Sequence, residues 1–290
     1  MTEERAKQIG VEFAKKSKVS PEEVELFKKA MIFLITDKKD PWAMMLLGTY
    51  YYEKKDFDPA LELYERAAHL DYDDAYDYLG FIWYYGRTGT KDYEKAYKYF
   101  HHLMEKGNYE GTYKVADMYK HGYYVEKDEE KYERMIEELY PKVRECINVY
   151  DPVPEVYTRY AEILAKRGKE HEAVNLYFRA KKFLAQRIKH NSFFGNLNIM
   201  RHLIDDLYEL VEFDEGYFDF YDTYYLLKEP HSISFLKDNA VMRLKSTEDG
   251  CVCFNGKWYE NRDEFFQYAE VSGVKLTTIY EELYGFDLLN

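Results

Sequence analysis

The amino-acid sequence predicts a mainly α-helical fold, an α-solenoid of antiparallel helix-pair repeats that ends in a small C-terminal α+β element. Two observations predict the repeats: one spacing of small and aromatic residues occurs after both Pro41 and Pro154, and Gly86 recurs with its neighbours 36 residues later at Gly122. A third predicts the tail, because Asn255-Gly256 separates two short apolar runs and favours a tight β-hairpin. We therefore expect strands only after about residue 231.

Composition limits the functions that this fold can serve. The chain has 290 residues, a formal net charge of -13 and three cysteines. The negative charge disfavours a general nucleic-acid binder or a protein held at membranes by a basic patch. Three cysteines cannot form a disulfide framework, no run of about eighteen uncharged apolar residues occurs, and the N-terminus does not resemble a signal peptide. We expect a cytoplasmic protein without a membrane span.

Residues 1–40 are predicted to form a pair of capping helices. Ser20 is a suitable N-cap, Pro21 fits the first helical position, and Glu23 lies three residues after the cap. Apolar residues then recur at helical spacing as far as Leu34. Because a repeat array exposes the apolar face of its terminal unit, such a pair is expected to close that end.

Residues 41–150 carry the clearest repeats, and one of their spacings returns after Pro154. The marks of the two blocks have identical offsets: Gly48, Tyr51, Ala60, Tyr64 and Ala67 in the first, and Ala161, Leu164, Ala173, Tyr177 and Ala180 in the second. This spacing resembles the tetratricopeptide repeat. We expect Gly48 to face Ala60 across a close helix pair, with an aromatic side chain filling the remaining gap.

Between these blocks lies a variant with a longer turn. Its marks recur 36 residues on, Gly80 as Ala116, Trp83 as Tyr119, and Gly86 as Gly122. They resemble the Sel-1-like repeat, a relative of the tetratricopeptide repeat with a lengthened helix–helix turn. The combined resemblance covers about residues 41–185 and implies a superhelix of stacked helix pairs. Tyr132 stands where the family has alanine, so the third unit departs from the pattern.

Residues 151–230 are predicted to continue the array. Apolar residues from Leu197 to Leu210 keep helical spacing, and so do aromatic residues from Tyr217 to Tyr225. Each of these two runs predicts a helix that follows the last clear repeat.

Residues 231–290 are predicted to form a β-hairpin with helices packed on it, and we recognise no family in them. Residues 252–254 and 257–259 flank the Asn255-Gly256 turn. Asn261 can cap one helix. Helical spacing predicts a second, carried by Leu276, Ile279, Tyr280 and Leu283.

No catalytic motif is evident, so the sequence predicts neither an enzyme nor a bound cofactor. The adjacent His101 and His102 would point about 100° apart on a helix and could not chelate a metal from one face. Cys251 and Cys253 can share one face of a strand. Two thiolates are only half of a structural zinc site, which Cys146 or a histidine would have to complete. We expect free thiols and no metal.

The resemblance to helical repeats implies a binding groove lined by the first helix of each unit. Carried over position by position, the partner-facing residues are Trp42, Met45, Tyr52, Asp74, Asp77, Phe81, Tyr84, Tyr85, Glu110, Tyr113, Asp117 and His121. Carboxylates between aromatic rings suit a basic, Arg- or Lys-rich partner through charge-assisted hydrogen bonds and cation–π contacts. Part of this set could instead be packing residues.

One run of basic residues opposes the overall charge. Arg179, Lys182, Arg187 and Lys189 lie in a stretch that contains no acidic residue. Two interpretations remain open. The dipole of a long helix stabilises cations near its C-terminal end, or the run forms a patch that faces an acidic partner or a nucleic acid.

The fold-level resemblance thus predicts a protein-interaction scaffold or adaptor that binds a basic protein or peptide in its groove. One alternative is an acidic inhibitor or decoy that occupies the basic, nucleic-acid-binding cleft of another protein. Another is a repeat sensor tethered to a regulatory C-terminal module. Direct nucleic-acid binding is disfavoured.

Overall fold

A computed structural model describes residues 1–16, 19–145, 153–190 and 194–289. Contacts between residues divide the chain into two compact units, Met1–Leu139 (unit 1) and Tyr140–Asn290 (unit 2). The finer segments expected from the sequence, at 1–40, 41–150, 151–230 and 231–290, stay predictions.

Unit 1 is a succession of helices in which each member from α1 to α7 packs against the next. The helices are α1 (Glu3–Ala14), α2 (Pro21–Lys38), α3 (Pro41–Glu53), α4 (Phe57–Ala68), α5 (Asp74–Tyr85), α6 (Tyr93–Glu105) and α7 (Tyr109–His121), and α8 (Glu129–Glu145) contains the boundary between the units. Ser20 and Glu23 form the predicted capping box at the start of α2. Gly86 and Gly122 end α5 and α7 in the left-handed conformation that glycine adopts without strain.

Close packing between paired helices depends on glycine facing an aromatic ring. A Cβ atom placed on Gly48 would lie 2.6 Å from Cε1 of Tyr64, and one on Gly80 would lie 2.7 Å from Cδ1 of Phe100. Gly48 was expected to face the small residue Ala60, with an aromatic side chain filling the remaining gap; the side chain nearest to Gly48 is the aromatic ring of Tyr64. The small residue is required because the ring itself occupies the space between the helices.

The long turns of the two Sel-1-like units are closed by the same contacts. In the first, the Asp92 amide donates to the carbonyl of Trp83 at 3.0 Å, and the Asp92 side chain accepts from the Lys95 amide. The Lys95 ammonium then lies 3.8 Å from the centroid of the Trp83 ring. The equivalent contacts 36 residues on join Tyr119, Asp128 and Lys131, with the same 3.8 Å cation–π distance. The period seen in the sequence is therefore a period of contacts.

Between residues 153 and 230, the described part of unit 2 contains four helices: α9 (Pro154–Lys166), α10 (Glu170–His190), α11 (Phe194–Leu210) and α12 (Thr223–Leu226). The prediction of a full helix from Tyr217 to Tyr225 is wrong, since only the four residues of α12 are helical. The side chain of Asp219 accepts from the amides of Tyr221 and Asp222. Such local side-chain bonds compete with the helical backbone pattern and favour turns.

A five-stranded antiparallel sheet follows, in the order β4-β3-β2-β1-β7. Its strands are β1 (Ser232–Lys237), β2 (Ala240–Ser246), β3 (Val252–Phe254), β4 (Lys257–Tyr259) and β7 (Tyr284–Leu289), and the short strands β5 (Glu270–Val271) and β6 (Val274–Lys275) pair with each other. Asn255 and Gly256 join β3 to β4 with φ angles of 48° and 85°. Both positive angles confirm the predicted tight hairpin turn.

The last predicted helix does not form. Residues 276–278 and 280–282 are single 3₁₀ turns, and the chain then enters the edge strand β7, where Phe286 stacks on Phe235 of β1. The prediction was wrong because apolar spacing at 276–283 fits two short turns as well as a helix, and pairing with β1 decides the outcome. The helix capped by Asn261 is present as α13 (Arg262–Tyr268). None of the described helices is both long and apolar enough to cross a bilayer.

Candidate functional site

Helices α3, α5 and α7, each the first helix of its repeat, carry the residues that were predicted to line a binding groove. These residues fall into three groups by their exposure to solvent. The exposed ones are Asp74, Tyr85 and His121, and the half-buried ones are Trp42, Asp77, Phe81, Tyr84 and Glu110. Four residues expected to face a partner are buried instead: Met45, Tyr52, Tyr113 and Asp117. These four belong to the interior of unit 1, and the predicted surface is correspondingly smaller.

Two of the aromatic residues predicted to face a partner pack against other side chains of unit 1 instead. The ring of Tyr52 contacts the rings of Phe57 and Tyr78 at centroid distances of 5.2 and 5.5 Å. Trp42 lies against α1: a Cβ atom placed on Gly10 of that helix would be only 2.7 Å from the Cη2 atom of the tryptophan. The tryptophan therefore helps to hold the N-terminal helix pair on the first repeat.

A buried lysine occupies the centre of the predicted aromatic surface. The ammonium of Lys114, on α7, lies between 4.9 and 5.3 Å from the centroids of four rings: Phe81, Tyr84, Tyr85 and Tyr113. It also donates a hydrogen bond to the Tyr85 hydroxyl at 3.0 Å. Among the residues that the structure describes, no carboxylate forms an ion pair with Lys114. The cation–π contacts expected for a partner's lysine are made by the chain's own lysine.

A second internal cation lies against the same tyrosine. The guanidinium of Arg87 is 4.8 Å from the Tyr85 ring centroid and 5.8 Å from that of Phe57. Neither cation was predicted from the sequence, because neither occupies a partner-facing position of the first helix of its repeat. Lys114 follows Tyr113 directly and Arg87 follows the C-terminal glycine of α5, so a search for cations beside the aromatic positions could have found them.

Negative charge concentrates at the other end of this surface. Asp74 and Asp77 start α5, Glu110 starts α7, and the Tyr113 hydroxyl donates to Glu110 at 3.1 Å. Burial, the Glu110 carboxylate and then the Asp74 carboxylate raise the pKa of Asp77 to about 8. Within the described ranges no cation forms an ion pair with Asp74 or Asp77, and Oδ1 of Asp77 has no hydrogen-bond partner. A positive group placed here would relieve the repulsion.

The basic run on α10 is largely neutralised within unit 2. Arg187 contacts both carboxylate oxygens of Glu155, at 2.8 and 3.4 Å, and Lys189 pairs with Glu281. The buried Lys181, in the same run, lies 2.5 Å from Asp222 and 2.8 Å from Asp219. Of the four residues assigned to an anion-facing patch, Arg179 and Lys182 are exposed and form no ion pair with any described residue. An extended anion-binding patch is therefore reduced to two side chains.

Metal-ligating side chains approach one another at one described place. Asp71, Asp73 and His102 lie within ligand distance of each other, but the Lys106 ammonium contacts Asp73 and lies 3.7 Å from Asp71. This internal cation occupies the place that a metal would take. Cys251 and Cys253 are free thiols, and Cys146 lies outside the described residues.

Comparison with known proteins identifies the architecture. No family model and no curated protein matches the sequence. Solved structures do match, among them c5321, a protective antigen of uropathogenic Escherichia coli with an SLR fold, at 19% identity and a TM-score of 0.50. The chain has the Sel1-like repeat fold. This confirms the predicted fold class, stacked helix pairs with a small α+β element.

The Sel1-like match covers 74% of this chain but 43% of c5321, so the chain spans less than half of that protein. A Sel1 repeat protein from Oxalobacter formigenes is also similar, at 21% identity and a TM-score of 0.49, covering 70% of this chain and 78% of that one. At 19% identity, the likeness to c5321 shows the fold alone.

Proposed function

We propose that this protein is a scaffold or adaptor that binds a protein partner through the first-helix face of unit 1. We define this face by Asp74, Asp77, Tyr85 and Glu110. The observation that carries the proposal is the cluster of carboxylates at the N-terminal ends of α5 and α7. No described cation pairs with Asp74 or Asp77, although internal ion pairs are common elsewhere in the described chain.

The partner group that fits this edge is a lysine or arginine side chain. An arginine can donate to two carboxylates at once in a fork geometry, and the contact would be charge-assisted. Binding would also favour the ionised form of Asp77, whose pKa burial and neighbouring carboxylates raise to about 8. The basic residue is thus expected at the carboxylates and not at the ring cluster, where Lys114 already lies.

Tyr85 supplies the apolar part of the proposed contact. Its ring is exposed on one side, and the contacts with Arg87 and Lys114 fix its orientation. A rigid, preordered tyrosine loses little conformational entropy on binding and is a common hot-spot residue. The absence of catalysis and the cytoplasmic location expected from the sequence remain part of this proposal.

The test is a pull-down from the source cell, followed by titration of the recovered partner at two salt concentrations. Asp74→Asn combined with Glu110→Gln is expected to weaken binding about tenfold at low salt and to reduce its salt dependence. Asp58→Asn, on an exposed position of the second helix α4, is the matched control and should have no effect. Equal affinities for all three proteins would place the site elsewhere.

A further inference from the structure

The C-terminal sheet has one covered face and one open face. Alternate residues of its strands, among them Ile233, Leu244 and Phe254, are buried, and Phe265 of α13 contacts the Phe254 ring at 5.7 Å. On the opposite face of this sheet, none of the strand residues that the structure describes is buried. Cross-strand pairing places these residues on the open face: Trp258, Cys253, Lys245, Ser232 and Leu289 in one row, Arg243, Ser234 and Asp287 in the next, and Val241, Leu236 and Tyr284 in the third. We call this the outer sheet face.

Four large apolar side chains stand at the corners of the outer sheet face. The exposed fractions are 55% for Trp258, 42% for Leu289, 59% for Val241 and 44% for Tyr284. Antiparallel sheets often leave one face to solvent, but that face is then usually polar. Apolar corners of this size, with a tryptophan and a tyrosine among them, are typical of a surface that becomes buried on binding.

Two cations occupy the middle of the outer sheet face. Arg243 and Lys245 lie on the central strand β2, and neither forms an ion pair with a residue that the structure describes. Lys245 lies 5.3 Å from the Trp258 ring centroid. Asp287 shares a row with Arg243 but is two strands away, about 10 Å, which is too far for an ion pair. The small side chains of Ser232 and Ser234 leave both cations accessible.

This arrangement selects among possible occupants. A second copy stacked on this face would bring central cations against central cations, which repel each other. A nucleic acid would gain only two phosphate contacts from a chain with a net charge of -13. A protein surface with carboxylates at its centre and apolar side chains around them satisfies both features.

We propose that the outer sheet face is a second docking surface, which binds a protein partner carrying acidic residues flanked by apolar ones. Two strand spacings by six residues, with two more by the three residues of β3 and β4, give about 300 Å² on this side, less than half of a standard interface. The expected complex is therefore transient. Together with the acidic first-helix face, this surface would give one chain two interfaces of opposite charge.

The test uses the full chain and a random 12-residue peptide library displayed on phage. Enriched peptides are expected to contain at least two acidic residues together with an apolar one. Trp258→Ala and Arg243→Glu should each weaken a synthetic selected peptide at least tenfold by fluorescence polarisation. All these positions are exposed, and circular dichroism confirms folding of each variant.

Two control variants distinguish binding at the outer sheet face from a general charge effect and from binding at the first-helix face. Lys257→Glu makes the same change of charge as Arg243→Glu, but Lys257 pairs with the buried Phe254 and so does not belong to the outer sheet face. This variant should change the affinity for the peptide less than twofold. Asp77→Asn alters the first-helix face and should have no effect on this peptide. The proposal would be overturned if no peptide were enriched, or if the enriched peptides contained no acidic residues. It would also be overturned if Lys257→Glu weakened peptide binding as much as Arg243→Glu, or if a 15-nucleotide oligothymidine bound more tightly than the peptide.

Discussion

Replacement of Gly80 by alanine sets two effects of opposite sign against each other. Alanine in a helix is favoured over glycine by about 1 kcal/mol because it loses less backbone entropy on folding. The new Cβ atom would lie 2.7 Å from Cδ1 and Cζ of Phe100, whereas carbon atoms in contact are normally about 3.5–4.0 Å apart. Phe100 is fully buried and cannot move aside, and overpacking of this kind costs roughly 1–3 kcal/mol.

The clash should therefore win, with a net loss of about 1 kcal/mol in the free energy of unfolding. Urea unfolding followed by tryptophan fluorescence measures it, and the melting temperature should fall by roughly 3 °C. The matched double variant adds Phe100→Leu, which removes the opposing ring. Gly80→Ala should then cost less than in the wild type, with a coupling of at least about 0.5 kcal/mol. A Gly80→Ala variant more stable than the wild type would refute the proposed packing.

Three further predictions concern other features. Burial and neighbouring carboxylates raise the pKa of Asp77 to about 8, so the folded chain keeps a proton that the unfolded chain releases above about pH 4. In urea titrations, the free energy of unfolding of the wild type minus that of Asp77→Asn should therefore fall as the pH rises from 4 to 8. A difference that stays constant over this range would contradict the prediction. Lys181→Met should lower the free energy of unfolding, followed by thermal unfolding, by about 3–5 kcal/mol, because it leaves the buried carboxylate of Asp222 without its cation. Adding Asp222→Leu should restore much of this stability. Losses that simply add in the double variant would argue against the buried pair. Gly256→Ala should cost about 1–2 kcal/mol because φ is 85°, and an unchanged melting temperature would exclude the hairpin turn.

The sequence predicted the repeats well because their determinants are local. Gly86 and Gly122 must end helices in the left-handed conformation, and Gly48 and Gly80 must admit a ring, so few other residues fit. Such steric requirements leave a fixed spacing that can be recognised without a structure.

The tail and the candidate site were harder to predict, because distant residues determine them. Tyr284–Leu289 becomes a strand only by pairing with β1, about fifty residues earlier in the chain. Similarly, Lys114 comes from the repeat that follows the one carrying Phe81, Tyr84 and Tyr85, and its ammonium lies 4.9 to 5.2 Å from the centroids of those three rings. No spacing within one repeat reveals such a contact.

The long turns of the two Sel-1-like units have a consequence for how the gene can change. Each is closed by contacts within its own repeat, from Trp83 to Lys95 and from Tyr119 to Lys131. Duplication or deletion of one 36-residue unit would carry a complete set of these contacts with it. The length of the array, and with it the area offered to partners, can therefore vary by recombination between repeats without the need for new turn sequences.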